Sequence, residues 1–326
     1  MELRTLDLFC GGGGSSWGAR NAGAEIVCGV DACPLAAKTF QTNFPDARVI
    51  NISLNEKSSV SVLEDVEDID LVLASPECTN HTCARGSRPR DEHSKRTARY
   101  VINFAQALNP RWIIIENVVH MRSWDGYSRL VTDIEDLGYH VRPEVLDSVE
   151  FGVPQTRRRL FLLCDREAVP SPVMRPSTGH ACMPKAKDVI RFDGSWKSGL
   201  LYKDRRAPET LARAERAFKA LGRGKPFLIV YYGTDGSGGW QTLDRPLRTL
   251  TTLDRFGLVT WNGDTPMLRM LQVPELQRAM GFDDHYELSH GSRRDRIRLL
   301  GNGVCPPVME AVVRSLTQIK ILQAAE

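Results

Sequence analysis

The sequence predicts an α/β protein: a doubly wound, Rossmann-like sheet domain joined to a smaller module. Three observations lead there. Through the first half, short apolar runs alternate with amphipathic helical patterns, the rhythm of a parallel sheet covered by helices on both faces. From about residue 166 to residue 242 that rhythm gives way to Pro-, Gly- and Lys-rich segments, which marks a separate unit. A final stretch, 307–322, has the apolar spacing to return and pack on the first unit. With 326 residues, the chain is long enough for a sizeable core.

The elements follow in order. Strands are expected at 3–9, 24–30, 70–74, 112–115 and 160–164, each a short run rich in Leu, Val or Ile. Between them, 33–43, 97–108 and 127–137 carry apolar residues at helical spacing. In the second unit, 208–221 reads as a helix opened by Pro208 and ended by Gly222.

A 42% hydrophobic and 25% charged composition argues against long disorder. No apolar run is long enough to span a bilayer, and the N-terminus enters a strand without a signal peptide, so a cytoplasmic protein is expected. The eight cysteines are then reduced thiols, with Cys10, Cys28, Cys164 and Cys305 reading as small buried hydrophobes. A zinc site of Cys28, Cys33, Cys78 and Cys83, joined by His81, has spacing at the wide edge for that metal, and no metal is expected. The net charge of +3 says little about partners, but its distribution says more. Residues 85–99 and 197–225 are basic, the second with nine Lys/Arg against three acids. Such patches suit a phosphate backbone.

The chemistry-bearing residues collect at strand tips, where doubly wound sheets bind ligands. After the first strand comes DLFCGGGGSSWG, residues 7–18, whose glycines permit a tight turn and close approach of a ligand to the backbone. The Gly-Lys-Ser/Thr ending of a phosphate loop is missing, while a nicotinamide site stays open on spacing alone. Asp31, at the second tip, is placed to bind ribose hydroxyls. VINIS, at 49–53, offers Ile52 to an adenine face and Asn51 to its edge.

SPECTNHT, at 75–82, sets Cys78 where a strand turns into a loop. A thiolate there suits conjugate addition to an electron-poor ring carbon such as C6 of a pyrimidine. The next tip, IIIENVV, brings Glu116 and Asn117, and a carboxyl at that place protonates or hydrogen-bonds the ring nitrogen as the thiolate adds. In FGVPQTRRRLFLL, alternation points Arg157 and Arg159 together toward a base or phosphate and Arg158 elsewhere.

The ordered set DLFCGGGG, SPEC, ENV, QTRRR and GNGV, with RPLRTLTT (245–252) and LRMLQVPELQRAMGF (268–282), resembles the C5-cytosine DNA methyltransferase family over nearly the whole chain. The resemblance implies S-adenosylmethionine as cofactor and DNA as partner, with the target cytosine flipped out of a double strand. It implies a bacterial or phage-encoded, nucleoid-associated enzyme of the restriction-modification kind. It divides the chain into a catalytic domain, 1–170 with 293–326, and a target-recognition domain, 171–292. Phe9 is then the residue that stacks on adenine. Gly11, Gly12 and Gly14 line the methionine moiety, Asp31 holds the ribose, and Asn51 and Ile52 contact adenine. Asn302, Gly303 and Val304 close the cofactor pocket. Cys78 is the nucleophile, Glu116 engages N3 and the exocyclic amine, Asn117 supports that tip, and Arg159 contacts the base oxygen with Arg157 nearby.

The chain departs from the family's pattern at Glu77, where proline is usual before the nucleophile, at Ala32, often aromatic, and at Asn51, often an acid. The nearest rival is a C5-cytosine RNA methyltransferase, disfavoured because the Cys-Phe-Thr tripeptide of the tRNA-methylating branch is missing. Exocyclic amine methylation leaves Cys78, Glu116 and Arg159 unexplained. A catalytically silent DNA-binding protein on the same fold is recommended by Glu77 alone.

Overall fold

A computed structural model describes residues 3–55, 58, 60–63, 66–76, 92–176, 183–232 and 238–317, with the backbone alone for 92–96. Its main sheet has seven strands: β1 (Leu3–Leu8), β2 (Ala24–Val30), β3 (Arg48–Ile50), β4 (Leu71–Ala74), β5 (Trp112–Val118), β6 (His140–Asp147) and β7 (Arg158–Asp165). Their spatial order is β3-β2-β1-β4-β5-β7-β6. The order reverses between β1 and β4, so their carboxyl ends open a crevice.

Alternation along the strands builds two cores. Leu71, Leu73, Ile114, Phe161 and Leu163 face α1 (Gly14–Asn21) and α2 (Pro34–Asn43), packing with Trp17 and Phe40. Val72, Ala74, Ile113, Ile115, Leu160 and Leu162 face the other way, onto Val101 and Phe104 of α3 (Glu92–Leu108) and Leu130 and Ile134 of α4 (Tyr127–Asp136). Both faces of each central strand are therefore dry, which is why these strands read as continuous apolar runs. Cys10, Cys28, Cys164 and Cys305 are buried, as expected.

The sheet is mixed rather than wholly parallel. β7 runs antiparallel to both β5 and β6. A single 3₁₀ turn, Ser148–Phe151, and a few further residues connect β6 to β7, too short a link for a parallel crossover. β6 itself escapes the apolar-run reading because it is an edge strand with half-exposed residues and Pro143 in its middle.

The second unit contains a five-stranded antiparallel sheet that the Pro- and Gly-rich composition conceals. It is built from β8 (Gly199–Leu200), β9 (Phe227–Val230), β10 (Trp240–Thr242), β11 (Phe256–Asn262) and β12 (Thr265–Met270), in the order β10-β9-β11-β12-β8. The helix expected at 208–221 is present as α5 (Pro208–Leu221), and Gly222 follows it with φ 82°. Ala214, Ala217 and Phe218 of α5 pack on Phe227, Ile229 and Val259.

After β12, the chain returns to the first unit through α6 (Val273–Ala279), α7 (Arg293–Asn302) and α8 (Pro306–Thr317). Leu276, Met280, Phe282 and Tyr286 join the core that holds Trp17. Tyr286 meets Trp17 edge-on at 5.1 Å, and its hydroxyl donates to the Gly12 carbonyl at 2.6 Å. The glycine loop is thus held from behind by a residue 274 positions away.

Asp7, inside β1, is fully buried beneath that loop. Ser16 Oγ donates to its Oδ2 at 2.6 Å, and Oδ1 has no partner among the described residues. Burial pushes its pKa up to about 7, helped by the charge of Asp31 and opposed by the Ser16 hydrogen bond. The folded protein therefore holds a proton that the unfolded chain releases near pH 4. Stability from this group is greatest below that pH and declines as pH rises toward 7. We predict that Asp7→Asn flattens the pH 4–7 stability slope by an amount on the order of a few kcal/mol, read from urea denaturation at several pH values. An unchanged slope would show that Asp7 stays ionised.

Candidate active site

The tips of β1, β2, β4 and β5 and the entry to β7 lie along one edge, because β7 runs against its neighbours. They wall a cleft of about 280 Å³, closed on the far side by the end of α7 and the turn after it. Of the residues the sequence singled out, the cleft gathers Phe9, Gly11, Gly14 and Asp31 at one end and Glu116, Arg157 and Arg159 at the other. Asn302, Gly303 and Val304 cover both.

Close approach explains the glycines. A Cβ on Gly14 would lie 2.5 Å from the Val304 carbonyl oxygen, so only glycine lets the α1 start pack under the C-terminal turn. Gly11, at φ 55°, has nothing within 4 Å of a Cβ position, leaving open space on the cleft side. Gly12 does not line the cleft; it backs onto Tyr286. The Asp31 carboxylate accepts from the amides of Gly11 and Cys33, both at 2.8 Å. Burial raises its pKa, and those two amides oppose the rise. Asn51 and Ile52 are set back from the cleft lining. Asn51 Nδ2 donates to the Asp31 carbonyl at 2.8 Å, and Ile52 packs on the α3 side of the sheet.

Glu116 is 6% exposed and its Oε1 lies 3.1 Å from Arg159 Nε, out of line for a hydrogen bond. The pair is diagonal across β5 and β7, with Glu116 opposite Phe161 and Arg159 two residues before it. Burial pushes the Glu116 pKa up, against the pull of Arg159 and then Arg157. The carboxyl is thereby biased toward its neutral, proton-donating form. Asn117 points elsewhere: its Nδ2 donates to the Pro76 carbonyl at 3.1 Å and its Oδ1 accepts from the Val118 amide at 2.8 Å. It fixes the chain two residues before Cys78. Cys78 itself, with Glu77, Cys83 and His81, lies outside the described residues.

Arg157 corrects one expectation. It shares a face with Arg159, as alternation requires, but its guanidinium does not extend toward a base. Nη1 donates to the Leu250 carbonyl at 3.0 Å, and Nη2 donates to the carbonyls of Gly301 and Gly303, both at 2.8 Å. Gln155, two residues earlier, accepts from the Leu250 amide at 2.8 Å and donates to the Ala279 carbonyl at 3.1 Å. Arg158 is exposed. Sequence reading missed Ser15, Ser75 and Arg298, which also line the cleft. Ser15 and Ser75 are 3.2 Å apart, linking two tips that no local motif relates.

Against known proteins, residues 3–318 match the family described as C-5 cytosine-specific DNA methylase. The chain belongs to that family. It is 34% identical over 167 residues to the Type II methyltransferase M.HgiDI of Herpetosiphon aurantiacus, covering 50% of this chain and 52% of that one. It is 32% identical over 167 residues to M.AgeI of Thalassovita gelatinovora, covering 49% and 39%. With M.AplI of Arthrospira platensis the match is 27% identical over 333 residues, covering 97% and 86%. The first two alignments thus span about half or less of those relatives' lengths. In fold, this C5-methylase chain is similar to a putative DNA modification methyltransferase from an E. coli prophage, with TM-score 0.69, 19% identity and coverage of 97% and 99%. It is also similar to the S. pombe Dnmt2 methyltransferase, with TM-score 0.68, 18% identity and coverage of 98% and 99%. Among the described residues no helix is long and apolar enough to cross a membrane, and no three His, Cys, Asp or Glu side chains cluster as for a metal.

The three carbonyl bonds of Arg157 set a test within this methylase fold. A lysine in its place reaches one carbonyl and leaves two buried acceptors unmet. Arg157→Lys is predicted to cost about 2–4 kcal/mol in urea denaturation, whereas Arg158→Lys stays within about 0.5 kcal/mol. Equal effects at the two positions would contradict the clamp.

Proposed function

We propose that this protein transfers a methyl group from S-adenosylmethionine to C5 of cytosine in double-stranded DNA. The single observation that carries the reading is Glu116, a buried carboxyl with a raised pKa beside Arg159, sharing one cleft with a glycine-lined nucleoside shelf. The residues present fit the donor. Gly11 leaves the room that a Cβ would fill, and Asp31, held rigid by two amides, turns its carboxylate edge to the ribose hydroxyls. Phe9, at φ 59°, offers its ring to the adenine. Asn302, Gly303 and Val304 cover the methionine arm, while Asn51 braces the Asp31 carbonyl beside the shelf, next to Ile52. When bound, the donor supplies an electrophilic methyl group on a sulfonium.

The protein's own residues do the rest. The cytosine leaves the base stack, since C6 is out of reach inside a duplex. The Cys78 thiolate adds to C6 as neutral Glu116 gives its proton to N3 and Arg159 donates to the base oxygen. C5, now electron-rich, accepts the methyl group. Water takes the C5 proton as the C6–S bond breaks and the thiolate leaves, which restores the ring, and N3 returns its proton to Glu116. Asn117 positions the turn that presents Cys78. The five-stranded module within 171–292, with the basic residues of α5, reads the target duplex, and phosphate contacts make its binding salt-sensitive.

DNA carrying 5-fluorocytosine tests this reading, because fluorine at C5 blocks the final elimination. Intact mass should show a covalent adduct for wild type with S-adenosylmethionine and none for Cys78→Ser. Glu116→Gln should form the adduct roughly 10²–10⁴-fold more slowly. An adduct with fluorinated RNA but not DNA would overturn the substrate assignment, and an adduct with Cys78→Ser would overturn the nucleophile.

A further inference from the structure

The nucleoside end of the cleft is lopsided. Phe9 is the one aromatic among the described residues that line it, and Ala32, Cys33 and Ala36, which line it with Asp31, are too small to cover a flat ring. Beside them lies Arg298 of α7, its Nη2 3.9 Å from the sulfur of Cys33, two residues along from Asp31.

We infer that Arg298 forms the second face of the nucleoside site, its guanidinium lying flat against the purine of the bound donor. The inference rests on the donor reading above. A guanidinium is planar, permanently charged and weakly hydrated, so it stacks on aromatic faces where an ammonium does not. The side chain is 49% exposed, and its acidic neighbour Asp295 is a loose 3.7 Å away. Asp295 is itself engaged by Ser292, whose amide and hydroxyl both donate to its Oδ2. Arg293, on the same helix, shows the contrast: Asp254 and the Leu271 carbonyl hold it at 2.7 and 2.6 Å. Helix α7 thus spends one arginine on structure and presents another to the cleft. Its place beside Cys33, two residues from Asp31, sets Arg298 at the nucleoside end of the cleft.

Calorimetric titration of the full chain separates the possibilities, using S-adenosylhomocysteine and 5′-methylthioadenosine, which has the nucleoside but no amino-acid arm. Arg298→Ala should weaken both ligands by a similar factor, about tenfold. Arg298→Lys, which keeps the charge and loses the plane, should bind nearly as weakly as the alanine variant, and Arg298→Trp should recover most of the affinity. Because the residue is half exposed, all three variants should keep the wild-type circular dichroism. An alanine variant within about twofold of wild type for both ligands overturns the inference. So does a loss confined to S-adenosylhomocysteine, which assigns Arg298 to the carboxylate, or a lysine variant that binds like wild type. Wild type binding neither ligand overturns the donor reading and this inference with it.

Discussion

One buried guanidinium holds the cleft in shape. Arg157 stands at the entry to β7, 3% exposed, and donates to three carbonyls from two distant stretches of chain. Leu250 belongs to the loop between β10 and β11. Gly301 and Gly303 end α7, where unpaired carbonyls and the helix dipole both favour a cation. The strand edge that walls the cleft, the unit carrying the five-stranded sheet and the C-terminal helices therefore meet on one side chain. Gln155, Tyr286 and the close packing of Gly14 on Val304 reinforce the same junction from neighbouring positions.

That use of Arg157 has an electrostatic consequence next door. Glu116 has two arginines close by, and a free pair of guanidiniums would hold a carboxyl firmly ionised. Arg157 spends its donors on carbonyls, and Arg159 approaches Glu116 without an aligned hydrogen bond, so burial outweighs both. The carboxyl stays biased toward its neutral form, the form that can donate a proton. A repeated theme is restraint at the strand tips: the carboxylate of Asp31 and the amide of Asn117 are held by backbone partners before any ligand arrives. Such pre-organisation lowers the cost of ordering the site on binding.

What could be read from the sequence follows the range of each interaction. Strand positions in the main sheet were legible because both faces are buried, and Asp31, Glu116 and Arg159 were legible because they sit at the tips of those strands. Helix α5 was legible from Pro208 and Gly222 alone. β6 was not, since an edge strand with Pro143 and half-exposed residues carries little apolar signal. The small antiparallel sheet was hidden for a similar reason, with strands as short as two residues set among turns. The destination of Arg157 was illegible in principle: its partners lie 93 to 146 residues away and are backbone carbonyls, which any sequence supplies. Arg298 likewise looks like one more charge on a basic helix until the fold sets it above Cys33.

Methylation at carbon 5 of cytosine in DNA, as proposed for this cleft, is measured by incubating the protein with duplex DNA of mixed sequence and methyl-labelled S-adenosylmethionine, digesting the product to nucleosides and separating them by mass spectrometry. The label should appear in 5-methyldeoxycytidine alone. Label in N4-methyldeoxycytidine or N6-methyldeoxyadenosine, or in no nucleoside while the donor binds, would contradict the account.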